Sequence, residues 1–151
     1  SMPPDADAFY KNAMPTIRPQ LKNIITKSAG QLKIKQANAD SLIKVLHSNT
    51  ACKNMNDENI EAISTLIMVQ ASNDADEDLK KIVLSMRNNN GAEQVSNIDN
   101  GNENGSLQEI NDKKQLMVQM IMHRKSKIAE EITPLIRKIY TNRENIINNL
   151  K

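Results

Sequence analysis

Apolar side chains recur at intervals of eleven residues in three separate blocks of the chain. Eleven residues make almost three full turns of an α-helix, so side chains at this spacing line one nearly straight face instead of the left-handed seam of a strict heptad. The repeat therefore predicts three long helices. Its positions are Leu21, Leu32 and Ile43, then Ile60, Ala71 and Ile82, then Ile110, Ile121 and Ile132, with Met117, Ile128, Ile139 and Leu150 beside the last group.

Turn-forming and aromatic residues are both scarce. The 151 residues include four Gly, five Pro, one Phe, two Tyr and no Trp. Because a β-sheet protein needs frequent turn signals, this composition favours helices. A chain of this length usually forms one domain, and its core must be built from aliphatic side chains. We predict an all-α fold with bundle or coiled-coil-like packing, in one domain overall.

The first part of the chain is predicted to be an N-terminal arm followed by an antiparallel helical hairpin. The arm covers residues 1–18 and has room for a short helix. Pro19 is a favoured first helical residue, so a long helix should begin there and reach about residue 49. Asn56 is a good N-cap for a second helix. The predicted hairpin therefore occupies residues 19–87.

A flexible linker and a third helix are predicted to follow the hairpin. Residues 88–106 contain three Asn-Gly pairs and neither Lys nor Arg. This Asn/Gly-rich segment cannot bury enough apolar surface to offset its loss of conformational entropy. Ser106 and Glu109 have capping-box spacing, so a long C-terminal helix should cover residues 107–151 and pack on the hairpin. Pro134 should kink it.

Formal charge changes sign along the chain. Residues 1–56 carry +5, residues 57–87 carry −4, the linker carries −3 and residues 107–151 carry +4. Antiparallel packing of consecutive helices would bring opposite charges together, so much of the positive charge should be neutralised within the protein. This weakens the case for nucleic-acid binding, which stays as a second alternative through basic helix faces.

Few side chains could support catalysis. His47 and His123 are the only imidazoles, and neither has a His or Cys one helical turn away. His47 with Cys52 supplies two zinc ligands where three or four are usual. The chain has no Gly-rich phosphate loop and no nucleophile motif. We therefore predict no catalytic residues, no cofactor, no small-molecule substrate and no enzymatic activity.

The acidic stretch at residues 74–78 resembles the beginning of a calcium loop. Asp74, Asp76 and Asp78 have the alternate spacing, but Leu79 stands where that loop needs Gly. No metal site is therefore predicted. The stretch could instead interrupt the second helix, because an N-cap and a carboxylate three residues later can begin a new one.

Residues 116–127, with the sequence LMVQMIMHRKSK, place six apolar side chains beside a cluster of cationic ones. Met117, Ile121 and Ile128 share one side of a helix, so the pattern favours a core stripe with basic side chains at its edge. Two alternatives stay open. The stretch could form a groove or helix for a partner, or it could insert into a membrane surface.

The sequence contains no candidate membrane span. No apolar run approaches the roughly 18 to 20 residues that cross a bilayer, and the N-terminus has no charged segment followed by an apolar one. We expect a cytoplasmic protein, or one exported by a route that uses no cleavable signal peptide.

The predicted function is a non-enzymatic helical protein-protein interaction or self-assembly module. The third helix should project beyond the hairpin after Pro134 and expose an apolar stripe that needs a cover. The N-terminal segment around Phe9 is one candidate cover, and a second copy, giving a homo-oligomer, is the favoured one. An alternative function is a secreted helical component or effector of a specialised bacterial secretion apparatus, able to contact membranes. The candidate interaction surface consists of Leu135, Ile136, Ile139, Ile146, Ile147 and Leu150.

Overall fold

The computed structural model describes residues 2–96, 103–140 and 143–151. Within these residues the backbone forms helices and loops without a β-strand, which confirms the predicted all-α class. The helices are α1 (Pro4–Ala13), α2 (Pro19–Gln31), α3 (Ala39–His47), α4 (Asp57–Ser96), α5 (Glu103–Ile139) and α6 (Arg143–Leu150), with a 3₁₀ turn at Met14–Thr16.

The chain divides into two compact units. Unit 1 comprises Ser1–Asn73 and Arg124–Lys151, and unit 2 comprises Asp74–His123. Helices α4 and α5 each contribute one part to each unit. In the part of the chain that the structure describes, unit 1 thus contains segments of six α-helices, whereas unit 2 contains segments of two.

The first part of α4 is the central element of unit 1. Every apolar side chain from Ile60 to Val69 is 0% exposed. A helix that is buried on all sides has to be surrounded by other helices. The two hydroxyls in this stretch are satisfied by the helix itself, because Ser64 donates to the Ile60 carbonyl at 2.9 Å and Thr65 to the Glu61 carbonyl at 3.0 Å. The central helix therefore leaves neither hydroxyl unsatisfied.

Polar contacts join the helices of unit 1 to one another. The Tyr10 hydroxyl in α1 donates to Gln70 Oε1 in α4. At the start of α3, the Ala39 N–H donates to Glu131 Oε1 in α5 at 3.1 Å. Both contacts connect residues far apart in sequence, so they fix which helices are neighbours around the aliphatic core.

The prediction of one long helix from residue 19 to about residue 49 is wrong. The chain forms α2 and α3 instead, and α2 closes with a tight turn in which the Leu32 N–H donates to the Ala29 carbonyl at 3.1 Å. Asn38 then adopts an extended backbone, with φ −146° and ψ 117°, and its side chain accepts from the Ser41 N–H at 2.9 Å. Asn38 is thus an N-cap that ends the loop and starts α3.

The predicted N-cap of the second helix is confirmed. The Asn59 N–H donates to Asn56 Oδ1 at 2.8 Å. The potential interruption at residues 74–78 does not occur, because α4 runs without a break from Asp57 to Ser96. The aspartates at this stretch lie inside the helix and form no turn.

Both long helices extend into the segment that was predicted as a linker. Residues 88–96 belong to α4, and residues 103–106 belong to α5, which begins at Glu103 instead of near Ser106. Adding a residue to an existing helix costs much less free energy than starting a new helix, so a helix can continue into a segment of low helix propensity. The flexible linker was predicted over residues 88–106, and residues 97–102 of it lie outside the described residues.

The backbone of α5 remains helical through Pro134 and ends at Ile139. Pro134 has no N–H, so it cannot donate to the Glu130 carbonyl as an ordinary residue would. The hydroxyl of Thr133, the residue before Pro134, donates to the Ala129 carbonyl at 3.1 Å.

Unit 2 has only a small core. Its buried apolar side chains, among those that the structure describes, are Ala75 in α4 and Ile121 in α5. The two helices are also joined by a hydrogen bond from Lys114 Nζ to Ser85 Oγ. Two helices can cover only one side of each other, so most of the surface of each faces solvent.

Candidate interaction surface

The predicted C-terminal interaction surface lies in the core of unit 1. All but one of its side chains are at most 8% exposed, and the remaining one, Ile147, packs half-buried against the same core. The side chains are therefore covered within a single copy of the chain. The buried members are Leu135, Ile136, Ile139, Ile146 and Leu150.

The N-terminal segment supplies part of this cover. Helix α1 packs against α6, and the Arg18 N–H donates to the Leu150 carbonyl at 3.3 Å. Phe9 is 1% exposed and Ile17 is 4% exposed in the same core. The stripe beyond Pro134 is thus closed by the chain itself, and a surface for a partner has to be sought elsewhere.

Large apolar side chains that remain exposed are concentrated in unit 2. Among the described residues there are ten, of which seven lie in unit 2, although unit 1 is the larger unit. A monomeric protein rarely leaves apolar side chains clustered in this way unless they have a binding role. The seven are Val83, Leu84, Ile110, Leu116, Met117, Met120 and Met122.

Four of these side chains form one face of α5, here named the methionine face. It consists of Ile110, Leu116, Met117 and Met120, which are 41%, 56%, 48% and 60% exposed. With 3.6 residues per turn, the four positions fall within an arc of about 120°. This width is typical of a helix face that packs against another helix.

The methionine face continues the buried stripe of α5. Met117 and Ile128 lie eleven residues apart on one side of the helix, as do Ile110 and Ile121. Ile121 and Ile128 are 4% and 0% exposed, whereas Ile110 and Met117 are 41% and 48% exposed. The stripe is therefore covered toward the C-terminal end of α5 and uncovered toward its N-terminal end.

The interpretation of residues 116–127 as a core stripe holds only in part. Ile121 is buried as predicted, but Met117 is half exposed and the neighbouring Met120 and Met122 are exposed more than half. Both Ile121 and Met117 belong to unit 2, so the change from buried to exposed occurs within the part of α5 that pairs with α4. The local sequence shows an apolar stripe but does not show how many helices surround it.

An open groove lies between the two helices of unit 2. It has a volume of about 460 Å³, and its apolar walls come from Val83 and Met86 in α4 and from Val118 in α5. Polar side chains border it, namely Arg87, Gln115 and Gln119. Met122 is one helical turn from Val118, so it lies on the same side of α5 as the groove and on the side opposite the methionine face.

Carboxylates continue the methionine face toward the start of α5. Asp112 precedes Leu116 by four residues and Glu109 precedes it by seven, and both acidic residues are exposed. Lys113, which is also exposed, precedes Met117 by four residues and Met120 by seven, so this cation lies on the methionine face itself. Residues 74–123 contain nine acidic and five basic residues, a formal charge of −4.

The histidines and the cysteine do not assemble a reactive site. His47 Nε2 lies 3.5 Å from Asp57 Oδ1, with both side chains well exposed, and His123 is exposed on α5. Cys52 is 0% exposed. Burial raises the pKa of the Cys52 thiol above its ordinary value, and the charge of Arg18 acts in the opposite direction.

Two further features concern metals and membranes. Across residues 2–96, 103–140 and 143–151, no group of three or more His, Cys, Asp or Glu side chains is placed to hold a metal ion. None of the helices in these residues has both the length and the apolar character needed to cross a membrane.

Comparison of the chain with protein-family models, curated proteins and solved structures gives no match.

Proposed function

We propose that the protein is a non-enzymatic, helical protein-interaction module that binds its partner through the methionine face of unit 2. The observation that supports this most is the change of exposure along one stripe of α5. Ile128 is fully buried, whereas Met117, eleven residues earlier on the same side, is 48% exposed. Burying an apolar face against a partner contributes roughly 25 cal/mol of favourable free energy for each Å² of apolar surface removed from water.

The side-chain types suit this role. Two of the four members of the face are methionines, whose flexible thioethers adapt to partner surfaces of different shape. Met117 and Met120 are three residues apart, Leu116 and Met120 four, and Ile110 and Met117 seven, which are separations that place side chains on one side of a helix. The core of unit 1 contains none of these four side chains, so the folding of unit 1 does not require them to be buried.

A photo-crosslinking experiment tests the proposal. A photoreactive amino acid is introduced at Met120 in one variant and at Ile34, which is 90% exposed in unit 1, in a control variant. We expect a discrete crosslinked product from Met120 in extracts of the native organism. Met117→Gln in the same chain should reduce its yield. Equal products from both positions, or none from Met120, would contradict the proposed surface.

A further inference from the structure

We propose that a basic segment of unit 1 binds membrane surfaces that contain anionic lipids, with the side chain of Ile34 inserted among the lipid headgroups. The basic segment is residues 18–53, which include α2 and α3. The methionine face lies in the other unit. This second surface therefore goes beyond the proposed function and does not depend on it.

The basic segment has a large excess of positive charge. It contains seven Lys or Arg residues and one carboxylate, Asp40. Two carboxylates from outside the segment contact it, because Glu131 Oε1 accepts from the Ala39 N–H at 3.1 Å and Asp57 Oδ1 lies 3.5 Å from His47 Nε2. With both included, the cations still outnumber the carboxylates by more than two to one.

Six of these seven cations form no ion pair within the part of the chain that the structure describes. The predicted neutralisation of positive charge within the protein therefore does not extend to them. Elsewhere in unit 1, by contrast, Lys11 lies 2.9 Å from Asp7 and Lys138 lies 3.4 Å from Glu61. Five of the six side chains are exposed and one is half-buried, so they are available to anionic headgroups. The six are Arg18, Lys22, Lys27, Lys35, Lys44 and Lys53.

Ile34 lies in the loop between α2 and α3 and is 90% exposed, more than any other large apolar side chain among the described residues. A turn fixes its backbone, because the Ile34 N–H donates to the Gln31 carbonyl at 3.1 Å. Lys33 and Lys35 flank it in the chain. Interfacial segments bind membranes in this way, with an apolar group among the headgroups and cations beside it that contact anionic lipids.

The side chains of the basic segment favour a lipid surface over a nucleic acid. Both are polyanions, and cations alone would attract either. The segment contains no aromatic residue that could stack on a base. It does expose a second apolar side chain, Val45, which is 57% exposed and follows Lys44 in the chain. A membrane interface removes such side chains from water, whereas a phosphate backbone does not.

Co-sedimentation of the full chain with vesicles tests the proposal. One set of vesicles is phosphatidylcholine alone, and the other contains about 30% phosphatidylserine. We expect the partition coefficient to be about tenfold or more higher on the anionic vesicles and to fall as salt is raised. The chain has no Trp, so Ile34→Trp supplies a single fluorescent reporter. Its emission should shift to shorter wavelength with anionic vesicles, whereas that of the control Met120→Trp should not.

Paired variants separate local contact from overall charge. Lys27→Gln with Lys35→Gln should weaken binding to anionic vesicles about tenfold, because these unpaired cations lie close to Ile34 in the chain. Lys11→Gln with Lys138→Gln removes the same charge from lysines that already have carboxylate partners, and should weaken binding about twofold or less. Ile34→Gln should weaken it several-fold. Circular dichroism checks that each variant is folded.

Four results would overturn the inference. These are equal binding to neutral and anionic vesicles, equal losses in the two lysine pairs, an unshifted Trp emission at Ile34→Trp, and a gel shift with RNA at a salt concentration where the vesicles do not bind. The last result would identify a nucleic acid as the ligand. None of the four concerns crosslinking at Met120, so the proposed function stands or fails separately.

Discussion

Met117 and Ile128 lie eleven residues apart on one side of α5, yet Met117 is 48% exposed and Ile128 is fully buried. The difference arises from the helices around them, since unit 1 surrounds its part of α5 with other helices and unit 2 pairs its part with one. The same apolar stripe thus serves as core in one unit and as a candidate binding face in the other.

This pair predicts unequal effects of the same substitution. Ile128→Asp should lower the free energy of unfolding by several kcal/mol, because it buries a carboxyl group in an aliphatic core. Met117→Asp should change it by about 0.5 kcal/mol or less, as expected at an exposed position. Urea denaturation of both variants measures the difference. Equal losses would show that Met117 is part of a core.

Truncation after Thr133 tests the role of the C-terminal residues. It removes five buried side chains, including Leu135 and Leu150, from the core of unit 1. Because each buried aliphatic side chain contributes about 1.5 to 3 kcal/mol, the truncated chain should lose its cooperative unfolding transition. Thermal circular dichroism gives the answer. A truncated chain with the Tm of the full chain would mean that these residues contribute little to folding.

Gly30 offers a stabilising substitution. It lies in α2, and a Cβ built at this position meets nothing within 4 Å. Its φ is not in the left-handed region. Gly30→Ala should therefore raise the free energy of unfolding by up to about 1 kcal/mol, because Ala loses less backbone entropy in a helix. A denaturant midpoint at or below that of wild type would contradict this account of α2.

The buried thiol predicts a pH dependence. Burial raises the pKa of Cys52 in the folded state, with Arg18 opposing the shift. Below the ordinary thiol pKa both states keep the proton, so the thiol adds no pH dependence there. Above it the unfolded state releases the proton first, so stability should fall as pH rises through this window. The fall should be larger in the wild-type chain than in Cys52→Ala. Parallel stability curves for the two proteins would show that Cys52 does not titrate differently on folding.

The helical class was predictable from the sequence, because scarce turn residues and local capping signals are encoded within short segments. Asn56 is an example, since its capping role depends on its own side chain and a backbone N–H three residues later. The end of α2 could have been found from the same kind of signal at Asn38. The eleven-residue repeat was a weaker guide, since Leu21, Leu32 and Ile43 follow it but α2 ends at Gln31 and α3 begins at Ala39.

The candidate surface was not predictable in the same way. The repeat gives Ile110 and Ile121 equivalent positions, but Ile110 is 41% exposed and Ile121 is 4% exposed, although both belong to unit 2. Likewise, the prediction that the apolar residues beyond Pro134 are exposed assumed that one helix continues from Pro134 to residue 151. In the structure α6 is a separate helix that packs against α1, so the stripe is closed within the chain.

Methionine-methyl NMR tests the central claim most directly. The chain has eight methionines, which include the exposed Met117 and Met120 and the fully buried Met68. The ¹³C-methyl signals are assigned by single Met→Leu variants, and the partner captured by crosslinking at Met120 is then titrated into the labelled protein. If the methionine face binds this partner, the Met117 and Met120 signals shift or broaden with saturation while the Met68 signal stays in place. Saturating binding without a change at Met117 and Met120 would contradict the account.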